Sequence, residues 1–140
     1  MSVLQKKNDT LKIILDSNAF FVSLEFKIDI FTEVERLINR NVSFILLSPV
    51  KRELEILANK ESPKIRREAA YALKLTEKCK YVPIDSDEKM RTDDVIVKVA
   101  KAWSSPVFTN DSQLRKRLRD ISVPVIYVRQ KSRLEIDGLI

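Results

Sequence analysis

The feature that most restricts this chain is an alternation of short, unbroken apolar runs with stretches of helical periodicity. "KIILD" (residues 12–16) and "VSFILLS" (42–48) are aliphatic and β-branched, without the polar alternation of a half-exposed strand. "SPVFTND" (105–111) and "VPVIYVR" (123–129) repeat the pattern, and "KYVPID" (80–85) is a weaker example. Runs of this kind belong to strands buried on both faces. Between them, residues 29–40 carry Ile30, Phe31, Val34, Leu37 and Ile38 at helical spacing. Residues 49–59 open with Ser48-Pro49 and residues 63–79 with Ser62-Pro63, a cap followed by proline at the first helical position. In the second of these, Ala69, Ala70, Ala72, Leu73 and Leu75 form the apolar side. Helical patterns at 92–103 and 111–120 complete the set. Strands alternating with helices predict an α/β fold, a three-layer α/β/α arrangement around a mostly parallel, twisted sheet.

The 140 residues are expected to form a single domain over 1–140. Residues 1–10 read as an N-terminal extension and 130–140 as a C-terminal tail, whose Leu134, Ile136, Leu139 and Ile140 are expected to dock on the core or on a second subunit. No apolar run reaches the ~18 residues of a membrane span, and no apolar segment follows the basic residues of the N-terminus. A lone cysteine, Cys79, forms no internal bridge, so a cytoplasmic location is expected.

Absences narrow the chemistry. The chain has no histidine, which excludes Ser-His-Asp and Cys-His catalysis and His-ligated metals. Its one glycine, Gly138, lies near the C-terminus, so the glycine-rich phosphate loops of nucleotide-binding βα units are excluded as well. An enzyme built from the remainder works with carboxylates, hydroxyls, Lys and Arg. Carboxylates without imidazole or thiolate favour hard cations, Mg²⁺ or Mn²⁺. The net charge of +6, from 26 Lys and Arg against 20 Asp and Glu, suits a polyanionic partner such as nucleic acid.

Four acids stand at the places where a parallel sheet concentrates its ligands, beyond the carboxyl ends of the strands. Asp16 ends the first strand and Asp111 follows "VFTN"; each is also a natural helix N-cap. On a helix from Pro49, at about 100° per residue, Val50, Leu54 and Leu57 define the buried stripe and Glu53 falls at its border, whereas Glu55 points away. In "RTDDVIVKVAKAW", Val95, Ile96, Val99, Ala102 and Trp103 form the buried face, with Asp93 beside it near Val97 and Ala100. Asp94 instead stands four residues before Lys98, an ion-pair spacing. Carboxylates gathered at one edge repel each other and raise one another's pKa values unless a cation neutralises them. One divalent ion, or a pair about 4 Å apart, resolves that repulsion. "DSN" (16–18) then becomes a metal-binding and substrate-facing turn between two core segments.

These motifs resemble those of the PIN-domain nucleases. A strand runs into Asp-Ser-Asn in "ILDSN", with serine where threonine is common, and a Glu-Leu pair opens a helix in "LLSPVKRELEIL". Asp93 has an aliphatic residue three positions on, Ile96, and "FTNDSQLRKRL" supplies the final Thr-x-Asp. The match spans about residues 11–130, and within the family the chain is most similar to archaeal proteins that resemble the eukaryotic Fcf-type nucleases of ribosomal RNA maturation. The resemblance implies a PIN-like fold and a metal-dependent endoribonuclease, with a place in ribosomal RNA processing. Asp16, Glu53, Asp93 and Asp111 would hold Mg²⁺ or Mn²⁺, either acid of the Asp93-Asp94 pair being a candidate for the third position. Asn18 and Thr109 would orient a water or the carboxylates, and the products would carry 5′-phosphate and 3′-hydroxyl ends.

RNA is the expected partner. Arg115, Lys116, Arg117 and Arg119 follow Asp111 directly, and Arg129, Lys131 and Arg133 extend the series. These residues read either as phosphate contacts or as an ordinary solvated face. The family also implies a homodimer. Two further readings keep the same fold: a VapC-type toxin ribonuclease with an antitoxin partner, and a non-catalytic RNA-binding or assembly module. A phosphotransferase of the haloacid dehalogenase type needs a second Asp where this chain has Asn18, and is rejected.

Overall fold

A computed structural model describes residues 10–85 and 89–140. The expected N-terminal extension lies, but for Thr10, outside the described residues. β1 (Leu11–Leu15) leads into α1 (Ser17–Phe26) and α2 (Ile30–Ile38); β2 (Val42–Leu47) is followed by α3 (Ser48–Leu57) and α4 (Pro63–Leu75). β3 (Lys80–Val82), α5 (Thr92–Trp103), β4 (Val107–Phe108), α6 (Ser112–Asp120), β5 (Val125–Arg129) and β6 (Arg133–Asp137) complete the order. The strands form one six-stranded sheet in the order β3-β2-β1-β4-β5-β6. All neighbours are parallel except β5 and β6. Among the described residues, no helix is long and apolar enough to cross a membrane.

The core explains why the central strands are uniformly apolar. Ile13, Ile14 and Leu15 are each fully buried, which requires cover on both faces of β1, and Ile45, Leu46 and Leu47 repeat this on β2. The helices supply that cover through Phe20, Leu54, Ile96, Leu114 and Leu118. Each buried side chain of this size is worth about 1.5–3 kcal/mol of removed apolar surface.

Short side-chain caps start several helices. Asp29 accepts from Thr32 N–H and Ser62 from Ile65 N–H, as the Ser62-Pro63 pattern predicts. Ser48 departs from its predicted capping role. α3 begins with no side-chain cap, and the Ser48 hydroxyl instead accepts the Ile84 N–H at 2.9 Å, tying the segment after β3 to the end of β2. With one glycine in the chain, left-handed turns fall to other residues: Lys27, Asn39 and Ser104 close helices at φ of 55°, 57° and 53°.

The C-terminal tail is the largest departure from expectation. Residues 133–137 form a strand, β6, antiparallel to β5; Leu134 and Ile136 pack on the core as expected, whereas Leu139 and Ile140 are exposed. Gln130 and Lys131 both take positive φ (55° and 58°), the paired left-handed backbone of a tight hairpin turn. Gly138 is held by packing: at φ 108°, a Cβ there would stand 2.5 Å from Arg119 Nη1.

Candidate active site

The strand order places β1 beside β4 at the sheet's centre, with successive strands leading away on either side. A topological switch of this kind opens a crevice outside the carboxyl ends. Asp16 leaves β1 at that point, and Thr109, Asn110 and Asp111 leave β4 beside it. A hollow of about 750 Å³ is bordered by Thr10, Asn41, Val42 and Lys80 at the opposite, amino ends of the strands, and holds none of the predicted acids.

Asp16 is only 4% exposed. One carboxylate oxygen accepts the Ser17 N–H at 2.8 Å; the other accepts from the Thr109 hydroxyl at 2.8 Å and from Asn18 Nδ2 at 3.0 Å. Asn18 also reaches across with its Oδ1, which accepts the Asn110 N–H at 2.8 Å. Thr109 Oγ1 accepts the Asp111 N–H at 3.1 Å, so one hydroxyl links two of the predicted acids. The turns after β1 and β4 are thereby fixed to each other by side chains that the sequence places 91 residues apart.

Burial dominates the electrostatics of Asp16 and pushes its pKa up from 3.8 to about 6. The Thr109 and Ser17 hydrogen bonds pull it down, and the charges of Asp93 and Glu53 push it up further. Asp93 is also raised, first by partial burial and then by Asp111, with Arg91 and Arg117 opposing. Four acids from four elements therefore share one field: Asp16 with Glu53 and Asp93, and Asp93 with Asp111. Glu53 is half-buried on α3, as its position on the helical projection predicts. Asp111 caps α6, accepting from Gln113 N–H at 2.8 Å and Leu114 N–H at 3.1 Å.

The donor set suits a hard divalent cation. It is all oxygen, and its two desolvated carboxyls repel neighbouring carboxylates without a fully compensating cationic side chain. Among the described residues no three acidic side chains stand close enough to ligate one ion as they are, so the acids are coupled through their field rather than by a shared ligand position.

Asp94 separates from Asp93. Its partner is not Lys98, one turn along its own helix, but Arg117 on the facing helix, at 2.9 Å. Both residues are partly exposed, so this is a surface pair worth about 0.2–1 kcal/mol.

The predicted basic surface is largely paired. Arg115 and Arg119 donate to the two oxygens of Asp137 at 3.0 and 3.1 Å, and the Arg115 guanidinium lies 3.7 Å from the Tyr127 ring centroid. Arg129 and Arg133 share Glu135. Lys116 and Lys131 are exposed. Carboxylates of β6 thus pair with Arg115, Arg119, Arg129 and Arg133 and bind α6 and the hairpin into the fold.

Asn110 was not singled out in the sequence. Besides receiving Asn18 on its N–H, it accepts the Val128 N–H on its Oδ1 at 2.9 Å, joining the site turn to β5. Its place inside Thr-Asn-Asp was the available signal. Thr109 is the other hinge of this network, fully buried and bonded on both sides. Thr109→Val removes a donor to buried Asp16 and the acceptor for Asp111 N–H, and should cost about 1–3 kcal/mol. Thr109→Ser should recover most of it, a comparison that urea unfolding measures directly.

A family profile described as PIN like domain matches residues 13–131. The chain belongs to the PIN-like domain family. Among its relatives, Ribonuclease VapC4 of Methanocaldococcus jannaschii is 32% identical over 130 residues, covering 92% of this chain and 98% of the relative. Ribonuclease VapC9 of Archaeoglobus fulgidus is 29% identical over 96 residues, 69% of this chain and 68% of the relative. In three dimensions this PIN-like domain superposes on the PIN domain endonuclease Utp24 with a TM-score of 0.77 at 24% identity, over 92% of each chain. That likeness establishes the PIN-like fold expected from the motifs.

Proposed function

We propose that this PIN-like domain is a metal-dependent endoribonuclease. The observation that carries the reading is the grouping of Asp16, Glu53, Asp93 and Asp111 around the switch point, with Asp16 buried and its ionised form disfavoured by two other acids of the group. A protein has little reason to keep such a carboxylate there unless a cation joins it. The ribonuclease relatives, matched over most of their length, agree with that chemistry.

Asp16, Glu53, Asp93 and Asp111 would hold Mg²⁺ or Mn²⁺, Asp93 being preferred to Asp94 because Arg117 already engages the latter. When bound, a divalent ion acidifies water and offsets charge on the phosphoryl oxygens during in-line displacement. Asn18 and Thr109 hold the Asp16 carboxylate in one orientation, and the Asn18–Asn110 bond keeps the two strand ends together. Lys116, Lys131 and the surface arginine pairs add a positive field that draws RNA toward this edge. Ribosomal RNA processing is one setting for the activity. A VapC-type toxin ribonuclease held by an antitoxin is the alternative setting, equally consistent with the two VapC relatives.

The test is incubation of labelled single-stranded and structured RNA with Mg²⁺, with Mn²⁺, and with EDTA. Internal cleavage that EDTA stops, leaving 5′-phosphate ends, is the expected result. RNA that is bound but never cut under any metal condition assigns the chain to the non-catalytic class.

A further inference from the structure

The arginines of α6 and the hairpin are engaged with carboxylates, so the question is which cations beside the acids are not. Arg52, Ile56, Asn59 and Lys60 recur at spacings of four, three and one, which places them on one side of α3 and the turn that follows it. Ile56 is 53% exposed despite being aliphatic, and Arg52, Asn59 and Lys60 are exposed around it. A hollow of about 370 Å³ is bordered by Ser17, Glu53, Ile56, Leu57 and Lys60. A second, bordered by Arg52, Glu55, Ile56, Asn59 and Lys60, shares Ile56 and Lys60 with it. The two hollows meet at Ile56 and Lys60, so together they outline a groove from Glu53 and Ser17, at the acid cluster, to Arg52. Asn59 Nδ2 donates to the Glu55 carbonyl at 2.9 Å, which fixes that side chain on the last turn.

We infer that this groove is the track for the RNA strand leading to the acids, with Lys60 and Arg52 contacting successive phosphates and Ile56 packing against a ribose or base. The inference rests on the endoribonuclease reading. Charge complementarity decides the occupant: two cations flank an apolar centre, and the groove opens onto Glu53 and Ser17 at the point where a phosphodiester would be cut. Neither cation has an ion-pair partner among the described residues. Glu55 also borders the second hollow, beside Arg52 and Lys60.

Lys60 also lies just beyond the C-terminus of α3, where positive charge is favoured without any ligand. A role limited to the helix would change melting temperature and leave RNA affinity alone, so both are measured. Fluorescence anisotropy with a labelled single-stranded RNA is run in the Asp16→Asn background, which stops cleavage. Lys60→Gln should weaken binding about fivefold and lower the salt slope by about 0.7, and Lys60→Gln with Arg52→Gln should lower it by about 1.4, for all sequences alike. Ile56→Ala should weaken binding without changing the slope. With Asp16 intact, Lys60→Gln should raise KM and leave kcat nearly unchanged.

Unchanged affinity and slope in the double variant, with normal cleavage when Asp16 is intact, would overturn the track and leave the nuclease reading standing. A chain that neither binds nor cuts RNA removes both. If Ile56→Glu turns a dimer into a monomer in sedimentation while RNA affinity holds, the groove is a protein contact and the track is wrong.

Discussion

Asp16→Asn should lower metal-dependent RNA cleavage by about a thousandfold while the protein stays folded. Asp16 is the buried member of the acid cluster and the one on which Thr109, Asn18 and the Ser17 amide converge. Asparagine keeps an acceptor for the Ser17 N–H and nearly the same volume, so the turn after β1 persists. What it loses is the charge that would hold a cation, together with the oxygen that accepts from Thr109 and Asn18. A divalent ion contributes several kcal/mol of charge stabilisation to a phosphoryl transition state, and about 4 kcal/mol corresponds to a thousandfold in rate. Asp93→Asn and Asp111→Asn should follow closely. Asp94→Asn should be mild, because its loss breaks a surface pair with Arg117 rather than the shared field. Single-turnover cleavage of one labelled RNA ranks the four variants. If Asp94→Asn is as damaging as Asp93→Asn, the division of labour between the paired acids is wrong.

That ranking draws on details that differ in how visible they are in the chain. β1 and β2 were legible because burial on both faces leaves no room for polar alternation, and Thr92–Trp103 was legible because its stripe is long and regular. Glu53 and Asp93 stood out for the same reason: a helical projection locates a carboxylate at the edge of a buried face. β6 was hidden because its hairpin turn is made by Gln130 and Lys131 rather than by an Asn-Gly pair, and backbone strain of that kind leaves no compositional mark. The pairing of the arginines was hidden for a different reason. A run of guanidiniums does not show which carboxylate it will meet, and Asp137 lies 22 residues beyond Arg115. Lys60 was silent because a lysine after a helix needs no explanation; only the hollow shared with Glu53 gives it one.

The metal-free protein should become less stable as the pH rises from 5 to 7, and this trend should be much weaker in Asp16→Asn. Burial raises the Asp16 pKa from 3.8 in the unfolded chain to about 6 in the fold, so between these values the native state binds the proton that the unfolded state has lost. Stability then falls with rising pH. The penalty is absent below about pH 4 and complete above about pH 6. A shift of this size corresponds to about 3 kcal/mol, of which about 1–2 kcal/mol develops between pH 5 and 7. That amounts to a fall of a few degrees in Tm for a domain of this length. Asp93, raised for related causes, acts in the same direction. Asp29 and Glu135 act oppositely: their pKa values are lowered by Thr32 and by Arg133, so their contribution is lost only as the medium becomes more acidic than their ordinary range. Mg²⁺ or Mn²⁺ at pH 7 should return what ionisation of Asp16 takes away, about 2.7 kcal/mol at a hundred times the Kd. Thermal melts of wild type and Asp16→Asn at pH 5 and 7, each with EDTA and with metal, separate these effects. The wild type should gain stability from acid and from metal, and the variant, already relieved of the buried charge, should gain much less from either. Identical pH slopes in the two proteins would mean that Asp16 ionises as freely in the fold as in water, and the cluster would then need no cation to hold it together.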